Sequence, residues 1–246
     1  MKNKIAKQYV LLILLFCSSG TYGQLHFTAN IQTNHLWRGI EVADGMVITS
    51  DISYNLLNGC VNLGFWGGTN TQGSYKEFNN HVSFHYKGFS LALWDTYNFS
   101  PGAAYNNKEF FNYKAHSTGR FLDAIATYHC GKSFPLSLSW STIIFGRDRN
   151  ETNTANKYST FCYMEYPVFR QDKWQVDASV GGTFALNQAG SPANFYGDTS
   201  GIVHISLKTT YELTIATYSL PIYICTVWNP QANRAFLQIG AQVFSF

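Results

Sequence analysis

After residue 23 the chain offers no run of about 18 apolar residues, so no transmembrane helix can be built from it. Charge is scarce as well: Lys, Arg, Asp and Glu make up 13% of the 246 residues. What charge there is cancels. Residues 1–23 carry three lysines and no acid, and without them 14 basic and 14 acidic side chains remain. The pI of about 8.5 is therefore largely a property of the N-terminal segment, and no basic patch is left to attract nucleic acid. Beyond residue 23 there are four cysteines, Cys60, Cys130, Cys162 and Cys225. Their spacing matches no metal motif. Two sit within apolar strand faces, where a free thiol acts as a small hydrophobe, so free thiols are expected. There is no long linker, low-complexity tract or internal repeat, and no Gly-x-Ser-x-Gly elbow.

Against these absences stands an aromatic content of 17%. Met1 to Gly23 has the form of a cleaved secretory signal. Lys2, Lys4 and Lys7 precede an apolar run from Val10 to Phe16, and Thr21-Tyr22-Gly23 offers a cleavage site. Phe16 is too large for the usual lipobox before Cys17. The remaining residues, 24–246, are consistent with one domain.

Two-residue alternation runs through that domain. At 235–246, Leu237, Ile239, Ala241 and Val243 point one way and Gln238, Gly240 and Gln242 the other. At 25–38, His26, Thr28, Asn30, Gln32, Asn34 and Arg38 oppose Leu25, Phe27, Ala29, Ile31 and Trp37. Further strands are read at 45–56, 60–69, 77–87, 89–99, 118–130, 136–147, 157–167, 173–187, 200–212 and 216–228. Asn58-Gly59 and Lys87-Gly88 form tight turns, and polar loops such as 100–117 and 188–199 fall at the other end. A closed sheet that is apolar outside and polar inside needs lipid around it. The expected fold is all-β: a single antiparallel transmembrane β-barrel of about 12 strands in the outer membrane, with the signal at 1–23 and the barrel at 24–246.

Two sets of residues carry a resemblance. His35-Leu36-Trp37-Arg38-Gly39-Ile40 is followed by Val47 to Tyr54 and by Leu63-Gly64-Phe65-Trp66-Gly67-Gly68, then by Glu77 and Leu93-Trp94-Asp95-Thr96-Tyr97. Near the end come Ser219-Leu220-Pro221, Asn229-Pro230-Gln231 and the closing Phe246. This order resembles the TorF-type porin family of small Gram-negative outer-membrane barrels. The aromatic end, Phe246, is similar to the signal that barrel-assembly machinery reads. Architecture of this kind implies little chemistry by itself.

The residues expected to set selectivity in the lumen are Arg38, Asp51, Glu77, Asp95, Asp123, Arg147 and Asp177. Asp51 is the natural partner for Arg38 on the neighbouring strand, although Asp95 shares parity with the lipid-facing Leu91 and Leu93. His81 and His85 are four apart on a strand, roughly 13 Å, too far to hold one metal. No cofactor, metal site or enzymatic activity is expected, because Ser139, Ser141, His204 and Asn187 are scattered. The expected role is passive passage of small solutes through a polar lumen. The alternatives are a closed structural or ligand-binding barrel acting through its outer loops, and a lipid-active barrel enzyme. A lumen crossed by complete Arg–carboxylate pairs and a folded-in loop would favour the closed barrel. A Ser–His contact on the lipid face would favour the enzyme.

Overall fold

The computed structural model describes residues 24–246 apart from Ala189. The expected signal at 1–23 lies outside the described residues. The strands are β1 (Gln24–Gln32), β2 (His35–Trp37), β3 (Ile40–Ala43), β4 (Val47–Leu56), β5 (Val61–Asn70), β6 (Lys76–Tyr86) and β7 (Phe89–Asn98). They continue with β8 (Phe121–His129), β9 (Ser137–Gly146), β10 (Ser159–Gln171), β11 (Trp174–Ala185), β12 (Gly201–Ile215), β13 (Tyr218–Asn229) and β14 (Arg234–Ser245). Twelve of them close into one antiparallel barrel in which sequence neighbours pair, and β1 lies between β4 and β14. Closure leaves no free edge among these strands. Phe246 completes the seam by exchanging backbone hydrogen bonds with Phe27, and its ring packs on the Phe27 ring.

The alternation behaves as the two-residue period requires. Ile52, Phe65, Leu91, Trp140, Leu207 and Ile239 all project outward and keep 43–53% of their surface exposed, while Thr49, Ser179 and Gln238 face inward and are buried. The exterior is thus a continuous apolar belt of the kind lipid covers. Tight turns at 57–60 and 87–88 lie at the end that holds both barrel termini, and Asn58 and Gly59 adopt the left-handed backbone their turn needs. The four cysteines among the described residues, Cys60, Cys130, Cys162 and Cys225, are free thiols.

The first expected strand is too long. The barrel wall stops at Gln32, and residues 33–46 fold into the lumen as the β2–β3 hairpin, a separate two-stranded sheet. Trp37 pairs with Ile40, so the turn is Arg38-Gly39, with φ of 51° and 80°. Positive φ at both central residues is the geometry of a tight primed turn. Asn34 Nδ2 donates to Glu41 Oε1 at 2.6 Å and ties the base of the hairpin. Trp37, read by parity as lipid-facing, therefore lies inside the barrel.

The tip of this hairpin docks on β12. The pairing of β11 with β12 slips by one residue between Gly181 and Gly182, which bulges Val203. A Cβ on Gly39 would lie 1.9 Å from the Val203 carbonyl oxygen, so only glycine permits the approach. Asn229 Nδ2 on β13 donates to the Gly39 carbonyl at 3.0 Å.

Candidate functional site

Beneath the long loops the lumen holds a chamber of about 770 Å³. Its aromatic walls are Trp37, Trp66, Trp94, Tyr105, Phe121 and Phe195, and its charged side chains are Arg38, Glu77, Asp123 and Arg147. The barrel wall brings Trp66, Glu77, Trp94, Phe121 and Asp123. The hairpin brings Trp37 and Arg38 from one side, and the loops bring Tyr105 and Phe195 from above.

Arg38 clasps the hairpin to the opposite wall. Its Nη2 donates to Asp123 Oδ2 on β8 at 2.5 Å, and its Nη1 donates to Tyr196 Oη at 2.5 Å. Both members of the ion pair are almost fully buried. The guanidinium also lies over the rings of Trp37, Phe161 and Tyr196, 4.7, 5.5 and 5.6 Å from their centroids. Burial holds the Tyr196 phenol above its usual range, so it stays neutral and accepts the hydrogen bond. Around this clasp Phe121, Ile143, Phe161, Tyr196 and Val203 form an apolar cluster within the lumen, and Trp37 and Ile40 pack against it. The expected Arg38–Asp51 pair does not form. The hairpin carries Arg38 across the barrel, and Asp51 instead accepts from or pairs with His81 Nε2 at 2.7 Å. The His81 ring stacks on Trp94 with centroids 4.5 Å apart.

Glu77 faces the chamber as expected. Its oxygens accept from Asn79 Nδ2 at 2.9 Å and Asn98 Nδ2 at 3.2 Å. Arg147 also faces inward, held by stacking. Its guanidinium lies 3.9 Å from the Tyr105 centroid, 4.7 Å from that of Phe195 and 5.2 Å from that of Phe121. Burial raises the Tyr105 phenol, with the Arg147 charge opposing. The inward course of Arg147 depends on a register slip between Leu122 and Asp123 and on Gly146 at φ 103°, where a Cβ would strike the Arg120 carbonyl at 2.1 Å.

One of the expected lumen residues is elsewhere. Asp95 points outward, as its parity with Leu91 and Leu93 dictates. It binds Arg120 Nη1 at 2.7 Å and Tyr113 Oη at 2.6 Å. Arg120 is wholly buried there beneath Phe110 and Tyr113 of loop 99–120, and its Nε donates to the Phe110 carbonyl at 2.7 Å. The loop thus divides: Tyr105 closes over the chamber, and the Phe110 region clamps the outer wall. Asp177 is in the lumen but contributes nothing to the chamber. It accepts twice from Gln175 Nε2 and stands opposite Lys208.

Among the described residues Ser–His contacts exist, all on the inward face. Ser83 meets His85 at 2.7 Å, His129 meets Ser137 at 2.7 Å, and Ser179 meets His204 at 3.0 Å. In the last pair, the other ring nitrogen of His204 has no partner, so no acid orients it as an acyl-transfer triad would need. Ser139 and Ser141 do not contact His204; Ser139 is bonded to Thr127.

Sequence reasoning missed Trp37, Phe195 and Tyr196 as lumen residues. Only the first had a signal: apolar residues on each side of an Arg-Gly pair fit a two-residue hairpin.

No protein-family model matches the chain, and no curated protein sequence matches it. Among solved structures, the barrel is similar to a triple mutant of the Rh. blastica porin, at 13% identity and a TM-score of 0.38. The match covers 80% of this chain and 55% of that one, so this chain spans about half that porin's length. It is also similar to an outer membrane channel from Pseudomonas putida F1, at 11% identity and a TM-score of 0.42, covering 90% of this chain and 94% of that one. Both likenesses are distant; what this barrel does follows from its own lumen.

Proposed function

We propose that residues 24–246 form a channel of the outer membrane that passes small solutes. In this reading residues 1–23 are a cleaved export signal and Phe246 is read by the barrel-assembly machinery. The order of motifs around Trp37-Arg38-Gly39 and Trp66 supports membership of the TorF-type porin family. The observation that carries the function is the chamber: a polar and aromatic space inside a closed barrel whose outer surface suits lipid. Twelve strands enclose more space than their inward side chains fill, yet less than the wide bore of sixteen-stranded porins. The hairpin and the loops at 99–120 and 186–200 narrow that space further, so passage is selective and slow compared with a general diffusion pore.

Single-channel recording of the refolded barrel in a planar bilayer tests this. Discrete small conductance steps are expected. Silence from a barrel shown to be folded would overturn the channel reading. It would favour the second one, a closed barrel that binds ligand without passing it, for which the Arg38–Asp123 pair across the lumen is the specific support.

A further inference from the structure

Arg147 and Glu77 both line the chamber, and among the described residues neither meets an opposite charge within ion-pair distance. Arg147 is held by ring stacking alone, and its side chain donates no hydrogen bond to any described residue. Its Nε is buried without a partner. Glu77 is held by two amide groups, which satisfy part of a carboxylate's capacity for about four hydrogen bonds. The other two charges of the chamber, Arg38 and Asp123, neutralise each other. The chamber therefore balances in total charge but presents one positive and one negative pole, which act on each other across the chamber without touching. Such groups are costly to hold out of water without compensation.

We infer that the chamber binds a small aromatic zwitterion, its carboxylate on Arg147 and its ammonium on Glu77, with its ring against the tryptophan walls. A net anion would satisfy Arg147 but meet the Glu77 charge, and a net cation would do the reverse. A molecule carrying both charges matches both poles and leaves the total unchanged. The edge of a stacked guanidinium remains free to bind a carboxylate through two N–H groups. Trp37, Trp66 and Trp94 offer flat apolar faces to a ring and electron-rich faces to an ammonium. About 770 Å³ lies within the ordinary range for a small-molecule pocket, so a ligand the size of an aromatic amino acid fits with water to spare.

This inference deepens the channel reading, since it names the solute class, but binding can be measured without any current. The full barrel, refolded in detergent, is titrated with L-phenylalanine, phenethylamine and hydrocinnamate, and tryptophan emission and heat are recorded. These probes share a ring and differ only in their charges. Phenylalanine is expected to bind about tenfold or more tighter than either singly charged analogue, the range of one charge-assisted hydrogen bond. In Arg147→Met the preference over phenethylamine should vanish, and in Glu77→Gln the preference over hydrocinnamate should vanish, each in a barrel with an unchanged strand spectrum. Should either variant destabilise the barrel, Glu77→Asp keeps the charge and should retain the ranking, while Arg147→Lys keeps the charge but loses the planar fork and should retain the ranking at lower affinity. Equal affinity for the three probes, preferences unmoved by the two neutral substitutions, or no binding by the folded wild type would each overturn the assignment. Binding without conductance would overturn the channel reading alone, and conductance without binding this inference alone.

Discussion

Breaking the Arg38–Asp123 clasp should open the lumen, and the structure sets the size of the effect. The pair is buried, at 2.5 Å, between a hairpin tip and the far wall of the barrel. Removing one member strands the other as an unpaired buried charge, which costs about 3–5 kcal/mol. If that cost falls on the docked position of the hairpin, the ratio of docked to undocked barrels drops about 150- to 5000-fold. Arg38→Met and Asp123→Asn should therefore each raise the open probability or unit conductance, recorded in planar bilayers against wild type. The double variant Arg38→Met with Asp123→Leu removes both charges and leaves apolar side chains facing Phe121, Phe161 and Tyr196. It should return toward the wild-type current, because a buried pair replaced as a whole by apolar groups is often neutral or stabilising. Single variants that are folded and conduct like wild type would refute the hairpin as the constriction. A double variant as leaky as the singles would show that the docked hairpin depends on the ion pair itself rather than on avoiding a stranded charge.

Gly39→Ala should act in the same direction with no change of charge. Its Cβ would sit 1.9 Å from the Val203 carbonyl at a backbone φ of 80°, so the hairpin must lift, and an unchanged current would contradict this docking. Arg120→Met should weaken the anchoring of loop 99–120 to the outer wall by about 1.5–3 kcal/mol, since it removes the charge-assisted bond to Asp95, which keeps its bonds from Tyr113 and Asn80, and the stack on Phe110. Faster proteolysis between residues 100 and 117, with the strand spectrum intact, is the readout. Glu109 accepts from Asn106 Nδ2 at 2.5 Å and Asn112 Nδ2 at 2.9 Å, and these bonds hold its carboxyl below the ordinary glutamate value. A depressed folded value means that its contribution to loop order is complete above the ordinary value near 4.5 and is lost as pH falls through the lower, folded one. Amide exchange over residues 106–117 should accelerate across that acidic window in the wild type, and Glu109→Gln should remove the step.

Much of the wall was legible in the sequence because lipid and water sort side chains with a period of two, and that sorting is local. The closing strand, the inward polar set of β11 and the turns at Asn58-Gly59 and Lys87-Gly88 all follow from it, and the same parity argued against the lumen position expected for Asp95. The count of about twelve rests on the turn residues between the runs, since the strands at 89–99, 157–167 and 216–228 alternate poorly. The partners in the lumen were not legible in this way. Alternation says which face a side chain takes but not how far across a barrel it reaches, so Asp51, the nearest acid, stood as the partner of Arg38. Two backbone irregularities decided otherwise. Left-handed Arg38-Gly39 turns the chain inward, and the bulge at Val203 receives the tip, which puts Arg38 against Asp123, 85 positions along the chain. Gly146 does the same for Arg147. A barrel with an apolar outside and a polar inside is already written into the order of side chains, because burial preference is a property of each residue. Which charges in that interior neutralise one another, and which are left facing the chamber, emerges only on folding, because pairing depends on distances across the lumen that no local pattern encodes.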